Sequence, residues 1–305
     1  MQGIKNILAG LAMSLLFVSC GNDGVKQPTD TLSSGNIKIS VDETYKPIIE
    51  EQLKVFDSSF PEANITVEYK PEADCIKDFL NDTTRLILVT RELSADEKKV
   101  LESKKVVPTS LAIAKDAVAV IVNNNSADTV LSVSQVKGIL TGIYKTKYTV
   151  VFDNQGSSTL RYVMDSLLPG QKLGANVFAA KSADSVIRYV ANNEGAIGFV
   201  GVSSVSDFTD PEGLAFIKDV KVVSILNDSL QKTYRPYQGY IAPNWYPLTR
   251  NLYFIHRETY FGLGTGFANF LARERGQLIF KQARLFPLRS NIIFREAAVN
   301  PNPQQ

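Results

Sequence analysis

From residue 37 to about residue 200 the chain alternates between two hydrophobic periods. The runs "IKISV" (37–41), "ITVEY" (65–69), "LILVT" (86–90), "TVVF" (149–152) and "GAIGFV" (195–200) are short and rich in β-branched residues, and read as strands. "AVAVIV" (117–122) is apolar at every position, as expected of a strand covered on both faces. Between these runs the spacing becomes helical. Ile48, Ile49, Leu53 and Phe56 share one face of a helix over 45–58. Leu160, Val163, Met164, Leu167 and Leu168 fall at i, i+3, i+4, i+7 and i+8 of another. Ser94 with Glu97, and Ser132 with Gln135, have the spacing of capping boxes, opening helices that run to about Ser103 and Gly142. Further helices are predicted near 183–192 and over 266–283, the latter with Phe267, Phe270, Leu271 and Leu278 on one side. Strands alternating with helices of this length give an α/β class with largely parallel sheets. So many strands favour two lobes over one large sheet.

The composition changes this picture little. The chain has 305 residues, 44% hydrophobic and 21% charged, which is ordinary for a globular protein. A net charge of +2 gives no global basic field, so nucleic acid is not an expected partner. The single histidine, His256, excludes multi-histidine metal sites and catalysis; no metal or cofactor is predicted, and His256 reads as a surface or strand-end residue. Of the two cysteines, Cys75 reads as a buried apolar residue.

The other cysteine, Cys20, closes a leader. Residues 1–19 carry Lys5 and an apolar run over 7–18, the pattern of a signal peptide. A cysteine immediately after it resembles the lipobox of bacterial lipoproteins, with Phe17 where leucine is usual, and implies lipidation at Cys20. Residues 20–34 read as a tether and 299–305 as a flexible tail. No later segment is long and apolar enough to cross a membrane. The expectation is a monomeric, periplasm-facing lipoprotein of the cell envelope.

The chemistry concentrates at "DNQGSST" (153–159), the entry to the helix that carries Leu160 to Leu168. Ser and Thr there have two readings. They cap a helix, or their hydroxyls and the free N–H groups of the first turn form a place for an anion.

Several segments in order resemble the substrate-binding proteins of phosphate ABC transporters, the PstS-like branch of the type II periplasmic binding fold. "LILVTRELSADEK" resembles that family's strand followed by S-R-x-L-x-x-E, and "DAVAVIVNNNSADTVLSVSQVKGILTGIY" its longest shared stretch. "GSST" sits where the family carries GSGT; "NNEGAIGFVG" and "YPLTRNLYFI" resemble two later strands. The resemblance implies two α/β lobes joined by crossover strands, lobe one at 35–122 plus 235–298 and lobe two at 123–234. It implies a binding protein, not an enzyme, that holds a small oxyanion, phosphate favoured, between the lobes for an ABC-type permease. Carried over by position, the ligand contacts are Thr44, Thr90, Arg91, Gly156, Ser157, Ser158 and Thr159. With these implied, the anion reading of GSST outweighs the plain cap.

Two departures bear on the ligand. Asp153 stands three residues before Gly156, where many phosphate binders have arginine, and Pro71 to Cys75 replaces a glycine- and serine-rich cradle with Glu72 and Asp74. Glu72, Asp74, Asp153 and Arg161 are therefore further candidate contacts, with the two acids on a loop and Arg161 read by default as a solvated helix residue. An alternative is an envelope sensor or interaction module whose ligand has changed or been lost. A serine hydrolase is disfavoured, since Ser157 has no histidine near it in the sequence. Trp245 reads as packing at the hinge rather than as a stacking platform.

Overall fold

The computed structural model describes residues 29–210 and 215–290, so the leader, Cys20 and the tail 299–305 lie outside the described residues. Strand β1 (Gly35–Asp42) runs parallel to β2 (Ala63–Lys70) and to β3 (Leu86–Val89). Asp42 ends β1 by accepting the N–H of Thr44, which turns the chain through a 3-10 segment (Glu43–Tyr45) into α1 (Lys46–Ser59). That helix buries Ile48, Ile49 and Phe56 against the sheet. Helix α2 (Glu72–Leu80) follows β2, and α3 (Ala95–Ser103) opens on the capping box of Ser94 and Glu97.

The apolar run at 117–122 is the second half of one 14-residue strand, β4 (Thr109–Val122). After it come β5 (Val130–Ser132), a strand not expected from the sequence, and α4 (Val133–Thr141), which opens on the expected Ser132–Gln135 box. Gly142 closes α4 at φ 78°, the left-handed conformation that favours glycine. Then come β6 (Thr149–Phe152), α5 (Ser158–Leu167), β7 (Val177–Ala179), α6 (Ala183–Asn192) and β8 (Ala196–Gly201). Short strands β9 (Lys221–Val222), β10 (Ser224–Asn227) and β11 (Lys232–Tyr234) and the turn α7 (Gln238–Ile241) lead to β12 (Thr249–His256). The described chain ends with α8 (Leu263–Ala272), α9 (Glu274–Gln282) and β13 (Phe286–Pro287).

Strands line up in the order β2-β1-β3-β12-β4-β8-β6-β7. The flanks are parallel, as expected, while β12 and β4 run antiparallel at the centre. Residues Thr109 to Ala117 of β4 pair with β12, and Val118 to Val122 pair with β8. One strand thus serves both halves. The halves have separate apolar cores, one around Ile39, Phe56 and Phe267, the other around Val120, Phe152 and Phe199.

Several expectations need correction. Ile241, Tyr246 and Leu248, assigned to lobe one from the sequence, lie in the second core, and Tyr246 Oη donates to the Val118 carbonyl at 2.8 Å. The cores therefore part between Ala114 and Ala117 and between Leu248 and Leu252, not at 122 and 234. The helix at 266–283 is two helices broken at Arg273, which is extended at φ −102°, ψ 174°. Buried Gln277 donates to the carbonyls of Leu271 and Ile113, satisfying the end of α8, while Leu278 faces solvent. Residues 29–34 of the presumed tether pack on the body. Buried Asp30 accepts bonds from Arg85, Tyr260 and the Leu263 N–H. No helix among the described residues is long and apolar enough to cross a membrane.

Candidate functional site

The segment between β6 and α5 is shaped by its own polar side chains. Asn154 Oδ1 accepts the Gly156 N–H at 2.8 Å, and Ser157 Oγ caps the helix by accepting the Leu160 N–H at 3.1 Å. The capping reading of GSST is realised at Ser157. Ser157 is spent on the cap, whereas the buried hydroxyls of Ser158 and Thr159 face a partner elsewhere. That partner is Arg250 of β12, whose Nη1 lies 3.1 Å from Ser158 Oγ and 3.4 Å from Thr159 Oγ1. Thr44 arrives from the other half of the molecule, its Oγ1 3.5 Å from Ser158 Oγ.

Arg250 was not foreseen as a site residue, although it is the arginine of "YPLTRNL". It stands opposite Asp116 in the β12–β4 register, and its Nε donates to Asp116 Oδ2 at 2.9 Å. Tyr45 Oη donates to the same oxygen at 2.8 Å. Arg250 is 5% exposed and Asp116 1%. Burial alone would lower the guanidinium's pKa, but Tyr45, Asp116 and Asp42 around it outweigh burial and the net shift is upward. Arg250 is a permanent buried cation. Its Nη2 has no hydrogen-bond partner, nor do Asp116 Oδ1 and Asp42 Oδ2. Gly201 lets this cluster close: a Cβ there would lie 2.9 Å from Thr44 Cγ2 and 3.7 Å from Arg250 Nη2.

The acids around the cluster have raised pKa values. Burial, then the charge of Glu72, pushes Asp42 up to about 7 against the pull of Arg250 and the Ser158 hydroxyl. Burial also raises Asp153, although the Ser157 hydroxyl and the Asn154 N–H oppose it. Burial and Asp153 together raise Glu43, which accepts a bond from Asn154 across the cleft.

A second group of donors lies at the end of β3. Thr90 directs its N–H and its hydroxyl to one oxygen of Glu72, at 2.6 and 2.7 Å. Arg161 of α5 donates from Nε to the other Glu72 oxygen at 2.5 Å and from Nη2 to Thr90 Oγ1 at 2.7 Å. Glu72 is therefore the first residue of a helix, 2% exposed, and not a solvated loop acid. Arg161 is a bridge between the halves and not a free surface charge. Asp74, by contrast, faces solvent away from these donors. Arg91 also turns away, pairing both guanidinium nitrogens with Glu97 at 2.7 Å. A cavity of about 270 Å³ opens beside this group, lined by Glu72, Arg91, Gly156, Ser157 and Arg161 among others.

Three other candidates resolve simply. His256 is at the end of β12 but buried, and Cys75 is a buried free thiol whose pKa burial raises. Trp245 does not pack into the hinge; it is 43% exposed against the rings of Tyr234 and Tyr240. No group of three or more acidic, histidine or cysteine side chains among the described residues could hold a metal ion.

A family model described as a PBP superfamily domain matches residues 26–275. The chain belongs to that superfamily. No curated protein matches it significantly. Among solved structures it is similar to a Clostridium perfringens protein assigned as a phosphate ABC transporter substrate-binding protein, with phosphate bound. The TM-score is 0.69 at 20% identity, covering 83% of this chain and 100% of that one. An ABC-type phosphate transport receptor from Vibrio cholerae follows at TM-score 0.66 and 18% identity, with 82% and 99% covered. PstS from Borrelia burgdorferi gives 0.55 and 19%, with 83% and 99% covered. The two-lobed α/β architecture of type II periplasmic binding proteins, expected from the sequence, is the fold observed.

Proposed function

We propose that this protein captures a small oxyanion, phosphate favoured, between its lobes and presents it to an ABC-type permease without chemical turnover. The reading rests above all on Arg250. A guanidinium this deeply buried is costly unless fully partnered, yet Nη2 has no partner, and Nη1 meets the Ser158 and Thr159 hydroxyls at a helix N-terminus. An oxyanion there would gain a fixed cation, two hydroxyls, the first-turn N–H groups and the positive end of the α5 dipole. Thr44 adds a donor from the opposite lobe, so occupancy favours the closed arrangement over an open one. An Asp42 held near neutrality limits the repulsion its carboxylate would exert. The similarity to phosphate-binding relatives supports the choice of ligand. The leader and Cys20 support a lipoprotein on the periplasmic side of the envelope.

Thermal melting of the soluble chain with phosphate, sulfate and chloride tests this. A ligand binding only the folded state at a hundred times its Kd stabilises by about 2.7 kcal/mol. A saturable rise in melting temperature with phosphate but not chloride is expected. A flat titration with both phosphate and sulfate would overturn the proposal.

A further inference from the structure

The cleft contains two donor sets, and one of them already holds an anion that belongs to the protein. Glu72 is bound at Thr90 much as a captured carboxylate would be: a main-chain N–H and a hydroxyl on Oε1, a guanidinium on Oε2, all within 2.7 Å, with the side chain buried. The contacts come from both lobes, since Thr90 directly follows β3 and Arg161 lies on α5. Arg161 completes the ring by donating to Thr90 Oγ1 at 2.7 Å. Each nitrogen of Arg161 in this set already has a partner, Nη1 pairing with Asp165 at 3.0 Å, whereas the Arg250 set retains the unpartnered Nη2.

We propose that Glu72 is a built-in anion that fills the Thr90 half of the cleft and thereby restricts the ligand to a single small oxyanion at the Arg250 half. The proposal rests on the oxyanion reading above and adds the residue that sets ligand size. A ligand with two linked anionic groups, such as pyrophosphate, needs both donor sets and meets the Glu72 carboxylate in one of them. Two negative groups on one set of donors repel strongly at low effective dielectric. The same carboxylate draws Arg161 across the cleft, so the closed lobes stay joined at the mouth while the ligand is held deeper in.

The test compares the wild-type chain with Glu72→Ala and Glu72→Gln, titrating each with orthophosphate and with pyrophosphate by calorimetry and thermal melting. The wild type is expected to bind orthophosphate and to discriminate against pyrophosphate. Glu72→Ala frees Thr90 and Arg161 and is expected to tighten pyrophosphate at least tenfold relative to the wild type. If the alanine variant fails to fold, Glu72→Gln keeps the volume and one acceptor for Thr90 while removing the charge. A tightening of pyrophosphate of at least threefold is then expected. Pyrophosphate affinity unchanged within twofold in every folded variant would overturn the proposal. A wild type blind to orthophosphate whose Glu72 variants bind either anion would overturn the oxyanion reading of the wild type and leave the role of Glu72 standing.

Discussion

Replacing Arg250 by methionine removes the cation but keeps a side chain able to fill most of its course. Three bonds go with it: Nε to Asp116 at 2.9 Å, and Nη1 to Ser158 and Thr159 at 3.1 and 3.4 Å. Asp116 remains 1% exposed, with only the Tyr45 hydroxyl as a neutral partner for Oδ2. Breaking a buried pair by removing one member costs about 3–5 kcal/mol, because the other charge is left uncompensated. For a domain of this size each kcal/mol lowers the melting temperature by about 2–4 °C, so a fall of roughly 6–20 °C follows. The Lys99–Asp96 pair, 73% and 91% exposed, supplies the contrast. Lys99→Met should leave the denaturation midpoint where it was, since exposed pairs gain little. The double variant Arg250→Met with Asp116→Leu should recover most of the lost stability, as apolar replacement of a whole buried pair does. Urea denaturation of the four proteins, read by fluorescence, measures all of this. A loss below about 1 kcal/mol for Arg250→Met, or a double variant no better than the single, would refute the argument that the pair is a desolvated charge network.

Two further outcomes are expected. Asp42 has a folded-state pKa of about 7 against roughly 3.9 when unfolded, so its contribution to stability is fully present below the unfolded value and is lost as pH rises through 7. The melting temperature should therefore be higher at pH 5.5 than at pH 8. Asp42→Asn should shrink that difference, with Asp153 and Glu43, shifted the same way, leaving a residue of it. The same slope in both proteins would contradict this account. Gly266→Ala places a Cβ 1.8 Å from the Leu32 carbonyl oxygen, so residues 29–34 must lift and the Asp30 bonds must break. A loss of at least about 1–3 kcal/mol is expected, together with faster amide exchange at Leu263; Gly239→Ala, with nothing within 4 Å, is the control.

What could be read from the sequence was what is local. Capping boxes at Ser94 and Ser132 and the left-handed Gly142 have their partners within four residues, and the helices begin and end where those signals stand. Ser157 was legible as a cap for the same reason. Arg250 was not, because its meaning depends on Asp116, 134 positions earlier, and an arginine in an apolar strand reads alike whether paired or free. Glu72 was taken for a loop acid because Pro-Glu-Ala-Asp has the composition of a turn and its helix is only nine residues long. Arg161 was taken for a solvated charge because its partner lies 89 residues away on the other lobe. Arg91, nominated by alignment, is claimed by a glutamate six residues on.

The pairing of β4 with both halves also fixes which groups a hinge motion would move least. Arg250 and Asp116 sit opposite each other one position short of the exchange from β12 to β8. Any swing of one lobe about these strands therefore carries the pair through almost no arc. Glu72 and Arg161 join residues of the two halves, so the same swing has to part them. On the function proposed above, an arriving anion would find its cation already in place at the pivot.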